Sequence, residues 1–373
     1  MIEPQKIKSL FSIKWTHQLF CTQNAFRSGG EVTRILSELN PSKLMLVVDR
    51  GICDANIEYV AKITSWIETS SIECSDILIV QGGEKAKTND SVVESILNTI
   101  NELGMCRKSV VLAIGGGAML DAVGFATSIA HRGIRLIKMP STSLSACDSG
   151  VGVKNGINKY NKKNFIGVFD PPYAVINDYD LLLSLDDRHW CSGMSEVIKV
   201  ALVKSPELFE QIKSSVSKVQ NRDLESMANL MTASATLHLK HITEGGDPFE
   251  RLEARPLDFG HWAAHKLEQM TNHELTHGEA VSIGLAIDLQ CSVELGHLDQ
   301  QVADEAIELL HKFDLPTTHP KMHEPELLAG LEEFREHLGG RLTILLLEDI
   351  GTPIDVHSLP ESIVKKAIQR LSL

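Results

Sequence analysis

Residues 109–130 read SVVLAIGGGAMLDAVGFATSIA. An unbroken apolar run from Ser109 reaches three consecutive glycines, after which apolar residues recur at helical spacing. Such a run has the character of a strand buried on both faces, here running straight into a helix. Gly115, Gly116 and Gly117 let the backbone approach a ligand closely, and a helix N-terminus offers free N–H groups to a phosphate. Asp121 lies in the first turns of that helix. The triplet is not the GxGxxG fingerprint of a standard dinucleotide fold, and alone it reads equally well as a tight turn.

Working outward, KLMLVVDRGI at Lys43 to Ile52 is a second apolar run, ending in Asp49 and Gly51. DILIVQGGEKAKT at Asp76 to Thr88 is a third, with a glycine turn flanked by Glu84 and Lys87. FDPPYAVIND, from Phe169 to Asp178, predicts a turn and one last strand. Segments with helical spacing, such as Asn89 to Leu103, lie between these runs. The alternation predicts a parallel sheet with covering helices, whose ligands bind beyond the carboxyl ends of the strands. Two glycine turns at strand ends favour a pyrophosphate-bearing cofactor. Residues 139–165, MPSTSLSACDSGVGVKNGINKYNKKNF, read as a loop rich in Gly, Ser and Asn. In it Lys159 and Lys162 are expected in solvent, whereas Lys154, between Gly152 and Gly156, is assigned to an anionic substrate. Arg132 stands just upstream.

After about Asp180 helical signals replace strand signals. In the segment LDDRHWCSGMSEVIKVALVK, Ser192 or Ser195 is a candidate helix cap. Glu196 and Lys199 share a face, as an ordinary surface ion pair would. Lys240 follows in LHLKHITEGG. RPLDFGHWAAHKLEQMTNHELTHGEA, Arg255 to Ala280, holds four histidines: 261, 265, 273 and 277. His261 and His265 share a helical face that Glu268 extends. Such a pair is common on ordinary helices, and equally suits a metal site of three ligands with one position open. The remainder is amphipathic helix apart from a strand-like run, GGRLTILLLEDIG, at Gly339 to Gly351.

The 373 residues suffice for two domains, each with its own core. A formal charge of −13 argues against a nucleic-acid partner or a membrane-surface role. Seven scattered cysteines, without a CxxC pair, suit reduced thiols in a cytoplasm. No signal peptide is expected from the N-terminal residues. No apolar run approaches the roughly 20 residues that span a bilayer.

In combination and order, GGGxxxD, SEVIK and FGHxxxH…HGE resemble the sugar phosphate cyclases, whose best known member is 3-dehydroquinate synthase. The resemblance covers nearly the whole chain from about Lys43. It implies an α/β N-terminal NAD-binding domain over residues 1–180 and a mainly α-helical metal- and substrate-binding domain over 181–373. By motif position, Glu196, His261 and His277 are the implied ligands of Zn2+ or Co2+. Asp49, Glu84, Lys87, Gly115, Gly116, Gly117, Asp121, Ser141, Thr142, Asp148, Lys163 and Ser184 fall at positions that hold NAD. Arg132, Lys154, Asn164, Lys199, Lys240 and His265 fall at positions lining the pocket for the sugar phosphate. Arg132 reaches the neighbouring subunit's site in that family, which implies a homodimer. His273 has no counterpart role.

The chain also departs from that family's best known member. Dehydroquinate synthases carry an arginine seven residues before the first ligand histidine and an asparagine three before it; here stand Ala254 and Asp258. Losing a cation that holds the substrate carboxylate, and gaining a carboxylate, disfavours an acidic substrate. Arg255, one residue along, is a partial substitute. Asp258 would instead accept hydrogen bonds from sugar hydroxyls. Aspartate in DFGH resembles the branch acting on sedoheptulose 7-phosphate to give valiolone-type C7 cyclitols. Retention of His265 suggests the 2-epi-valiolone type. The rival readings are 3-dehydroquinate synthase itself, 2-deoxy-scyllo-inosose synthase and a metal-dependent alcohol dehydrogenase.

Overall fold

A computed structural model of the chain describes residues 6–10, 12–160, 162–245, 249 and 256–372. Its first half is built on a parallel sheet of six strands. In chain order these are β1 (Leu19–Thr22), β2 (Leu44–Asp49), β3 (Leu78–Val80), β4 (Val110–Gly115), β5 (Arg135–Pro140) and, after a hairpin, β8 (Ala174–Asp178). Their spatial order is β1-β8-β5-β4-β2-β3. Every residue of β2, β4 and β8 is buried. In β4, Val110, Leu112 and Ile114 pack into one core layer with Leu44, Leu46, Val48 and Ile137. Val111 and Ala113 pack into the layer on the opposite face with Met45, Val47 and Leu136. Alternate side chains thus fill two layers, which is why these strands read as unbroken apolar runs rather than alternating ones.

Residues 139–165 are not simply a loop. The hairpin β6 (Lys154–Lys159) and β7 (Lys162–Phe169) pairs antiparallel across them. Its lysines, asparagines and glycines have low strand propensity. Tertiary packing overrides this, because β6 lies on α1 (Gly117–Ile129), where Gly124 leaves space: a Cβ there would come within 1.9 Å of Asn155 Oδ1.

From Tyr179 on, the described chain is helical apart from one late hairpin, β9 (Ile344–Asp349) with β10 (Thr352–Val356). The functional residues ride on α2 (Met194–Lys204), α3 (Leu224–Glu244), α4 (His261–Met270) and α5 (His277–Glu294). α5 is apolar nearly all round and buried from Gly278 to Ser292 but for Glu279, so it forms the axis of this half. Thr276 and Glu279 cap its start reciprocally. Neither Ser192 nor Ser195 caps α2. Gly193 occupies that position, and Ser195 Oγ donates to Ser192 O at 2.9 Å. Close approach explains Gly193: a Cβ would lie 2.5 Å from Ser143 C. Among the described residues no helix is long and apolar enough to cross a membrane, and all seven cysteines are free thiols.

Candidate metal and nucleotide site

Asp49 ends β2, Gly82 follows β3, Gly115 ends β4 and Ser141 follows β5, so the carboxyl edge of the sheet gathers them. The glycines are there for space. A Cβ on Gly82 would lie 2.1 Å from Asp49 Oδ1, and one on Gly115 would lie 2.8 Å from Met119 Sδ. Asp49 Oδ1 accepts the Gly51 N–H at 2.9 Å. Burial still raises its pKa against the help of the Gly51 and Gly116 N–H groups. Gly116 caps α1 without any side-chain hydrogen bond, leaving the first-turn N–H groups open towards this edge. Gly117 packs against Ser149, where a Cβ would stand 2.2 Å from Oγ. A bare helix N-terminus beside closely packed glycine turns fits a pyrophosphate.

The polar residues around this edge pair with one another. Lys87 Nζ meets Asp121 Oδ2 at 2.7 Å, and Glu84 Oε1 accepts Asn158 Nδ2 at 2.6 Å. Burial opposes the charge on Glu84, but Lys163 and Lys87 lower its pKa. Thr142 caps the short helix Ser143–Cys147 in a box with Ser145. Ser184 Oγ donates to Leu181 O within its own turn.

Three elements bring the candidate metal ligands together. Glu196, in the first turn of α2, is completely buried and its Oε1 has no hydrogen-bond donor among the described residues. That oxygen stands 3.5 Å from His261 Nε2, on α4, and 3.6 Å from His277 Nε2, on α5. The three ligand atoms lie within 4.8 Å of one another. Each imidazole is oriented from behind. His261 Nδ1 donates to Phe259 O at 3.0 Å and His277 Nδ1 donates to Glu268 Oε2 at 3.0 Å. Acceptors at Nδ1 turn both Nε2 atoms towards the glutamate oxygen, the orientation that metal-ligating histidines require. An orphaned carboxylate oxygen between two such nitrogens fits a divalent cation with an open coordination position.

Glu268 is the hub behind the ligands. Its Oε1 takes the Lys163 ammonium at 2.7 Å. Burial opposes its charge, yet Lys163 and His277 hold it well below the usual carboxylate range. Lys163, expected at the NAD, is thus paired with the glutamate behind the candidate metal site. Far from being a surface pair, Lys199 and Glu196 are buried together, Nζ to Oε2 at 2.5 Å. Asp148 Oδ1 lies 3.7 Å from the same ammonium and 3.1 Å from His238 Nδ1. Burial would lower the Lys199 pKa, but Glu196 and Asp148 raise it, with Asp258 contributing. Asp258 therefore lies near Lys199.

His265, one turn along α4, stacks on His277 with ring centroids 5.9 Å apart. Burial first, then Lys163 and His261, hold its pKa well below the imidazole range, so the ring is neutral. Lys154, Lys240 and Asn164 are exposed at the start of β6, near the end of α3 and on β7. Arg132 does not join the cluster. It is exposed, at φ 64°, beyond the far end of α1 from Gly116. That helix of 13 residues is about 20 Å long. His273 is exposed at φ 61° in the turn after α4. Ala254 and Arg255 lie outside the described residues.

Sequence reasoning left Glu268 without a role and passed over His238, Trp262 and Asp288. A lone aspartate inside an apolar helix is the signal for Asp288, since buried carboxylates need partners.

Two family profiles tile the centre of the chain: 3-dehydroquinate synthase N-terminal over residues 77–192 and 3-dehydroquinate synthase C-terminal over residues 193–335. A 2-epi-valiolone synthase of Actinosynnema mirum is 30% identical over 349 residues, 91% of this chain and 88% of that one. A 3-dehydroquinate synthase of Halorhodospira halophila is 31% identical over 312 residues, 83% and 86% of the two chains. Among solved structures, the 2-epi-5-epi-valiolone synthase ValA of Streptomyces hygroscopicus, with NAD+ and Zn2+ bound, superposes with a TM-score of 0.89 over 99% of both chains. It is 24% identical, a likeness of fold.

Proposed function

The chain belongs to the 3-dehydroquinate synthase-like sugar phosphate cyclases, a family of carbon–oxygen lyases, and from that premise we propose that it cyclises sedoheptulose 7-phosphate. The product is a C7 cyclitol of the 2-epi-valiolone or 2-epi-5-epi-valiolone type, formed with loss of phosphate and an intramolecular aldol closure. The observation that carries this reading is the buried Glu196 Oε1, without a donor, between two imidazole Nε2 atoms. Residues 1–180 would bind NAD, with Gly115–Gly117 and the start of α1 taking its pyrophosphate. Residues 181–373 would hold Zn2+ or Co2+ through Glu196, His261 and His277. When bound, NAD supplies reversible hydride transfer and the metal supplies Lewis acidity.

The chain's own groups do the rest. Lys199 and Lys240, with Lys154 and Asn164, would hold the anionic phosphate and orient it for departure. His265, kept neutral, is able to accept a hydrogen bond from a ring hydroxyl at its unprotonated nitrogen. Asp258 would accept hydrogen bonds from sugar hydroxyls on the Lys199 side, where a carboxylate-bearing substrate meets repulsion. Arg132, about one helix length from its own site, would serve the site of a second copy in a cytoplasmic homodimer.

The test is incubation with NAD, Co2+ or Zn2+ and one substrate at a time, reading phosphate release and cyclic product. Sedoheptulose 7-phosphate should turn over. Turnover instead of the C7 keto-acid phosphate would make the chain a 3-dehydroquinate synthase, and turnover of glucose 6-phosphate an inosose synthase. Net NADH from a simple alcohol, without phosphate release, would make it a dehydrogenase.

A further inference from the structure

The turn that delivers His261 is pinned from both sides by one residue of a neighbouring helix. Asp288 is fully buried on α5, about three turns after His277. Its Oδ2 accepts the Gly260 backbone N–H at 2.8 Å, and its Oδ1 accepts the Trp262 indole N–H at 2.8 Å. Gly260 and Trp262 are the residues immediately before and after His261. We propose that Asp288 is a positioning residue for the metal site, fixing the His261 imidazole relative to His277 by clamping both chain neighbours of His261 to the helix that begins with His277. This rests on the metal reading of Glu196, His261 and His277.

Further observations support a clamp rather than incidental packing. Gly260 has φ 78°, a left-handed conformation in which its N–H points into α5. Gly284, one turn before Asp288, lies so close that a Cβ there would stand 2.0 Å from Gly260 O. Helix and turn are therefore in backbone contact next to the carboxylate. Trp262 is itself buried among Leu267, Ile283, Ile287 and Met322, so its indole fixes the Asp288 side chain in return. Burial pushes the Asp288 pKa up to about 7, against its two hydrogen bonds. A carboxylate held at that cost does more than fill space, since an apolar side chain would strand two buried N–H donors.

The mechanism passes through geometry. His261 Nδ1 donates to Phe259 O, so the ring's orientation is set by the backbone of the 259–262 turn. Loosening either end of that turn swings Nε2 away from Glu196 Oε1. Groups acting on a ligand from behind commonly change metal affinity by about 10–100-fold.

Wild type, Asp288→Asn and Trp262→Phe should be stripped with a chelator and titrated with Co2+ alone, without NAD or substrate. Calorimetry gives affinity and the visible d–d spectrum at saturation gives ligand geometry. Asp288→Asn keeps the shape but sets an amide donor against one of the two N–H groups. Trp262→Phe keeps most of the volume and removes one bond. The expected result is Co2+ binding weakened about tenfold or more in Asp288→Asn, less in Trp262→Phe, with a shifted d–d band in both. A merely structural role would lower the melting temperature and leave the band of the bound ion unchanged. Wild-type affinity and an unshifted band in both variants would overturn the proposal. If Asp288→Asn does not fold, Trp262→Phe decides alone by the same criteria. Failure of wild type itself to bind Co2+ would overturn the metal reading, and the clamp with it.

Discussion

At Glu196 burial and charge pull in opposite directions. The carboxylate is completely enclosed, which favours protonation, yet Lys199 and the imidazoles of His261 and His277 hold its pKa well below the usual range. A buried anion with one oxygen on an ammonium and the other lacking a donor is a group built to take a cation. Behind it, Glu268→Gln should weaken Co2+ affinity by roughly 10–100-fold, and Glu196→Ala by more, as read by titrating chelator-stripped protein. Equal affinities in wild type and Glu196→Ala would remove Glu196 from the ligand set. Asp288 supplies a pH signature. Its folded pKa of about 7 lies above the ordinary value, because burial outweighs the bonds from Trp262 and Gly260. The folded state therefore binds this proton more tightly than the unfolded chain does. The Asp288 contribution to stability is greatest below about pH 4, shrinks as pH rises to about 7 and is level above that. Chemical denaturation of metal-free wild type and Asp288→Asn at pH 5 and pH 8 should show wild type gaining on the variant at the lower pH.

At the scale of elements, α5 links the two candidate imidazole ligands. It carries His277 at its first turn and holds the Gly260 turn through Gly284 and Asp288. Gly284→Ala places a methyl within 2.0 Å of Gly260 O, and backbone on both sides leaves little room to yield. Overpacking of this kind costs about 1–3 kcal/mol. The measurable outcome is a lower unfolding midpoint together with weaker Co2+ binding; a midpoint equal to wild type would mean the two backbones separate freely. The β6–β7 hairpin is positioned in the same manner, through Gly124 of α1, and it carries Lys163 to Glu268. One hairpin therefore ties the nucleotide edge of the sheet to the shell behind the metal ligands.

At the scale of the molecule, the two halves contribute different chemistry to one region. The sheet offers a bare helix N-terminus and close-packed glycines, while the helical half offers the proposed cation site. Arg132 stands apart from both, beyond the far end of α1, and the proposed second copy accounts for its exposure. Mixing inactive Arg132→Ala with inactive Glu196→Ala tests this directly. If Arg132 serves the neighbouring site, random exchange of subunits in a two-fold dimer leaves half the dimers with one intact site, restoring roughly a quarter of wild-type activity. Activity that stays at background after subunit exchange has been verified would place Arg132 outside the neighbour's site.

Local pattern alone determined β2, β3, β4 and β8 and their glycine turns, and left β1 and β5 unread. Runs such as Leu44–Asp49 and Val110–Gly115 are buried on both faces, so apolar composition and glycine punctuation carry their identity within a few residues. The motifs around Glu196, His261 and His277 were legible through the family resemblance, each being a short string of distinctive side chains. What the string could not contain is distance. The β6–β7 hairpin, the Lys163–Glu268 contact and the Asp288 clamp join residues whose local surroundings say nothing of one another, and only chain packing brings them within bonding range. Burial followed the same rule: Glu196 and Lys199 read as a surface pair because helical spacing fixes a shared face. It took the surrounding helices to enclose that face and turn an ordinary ion pair into one side of the proposed cation site.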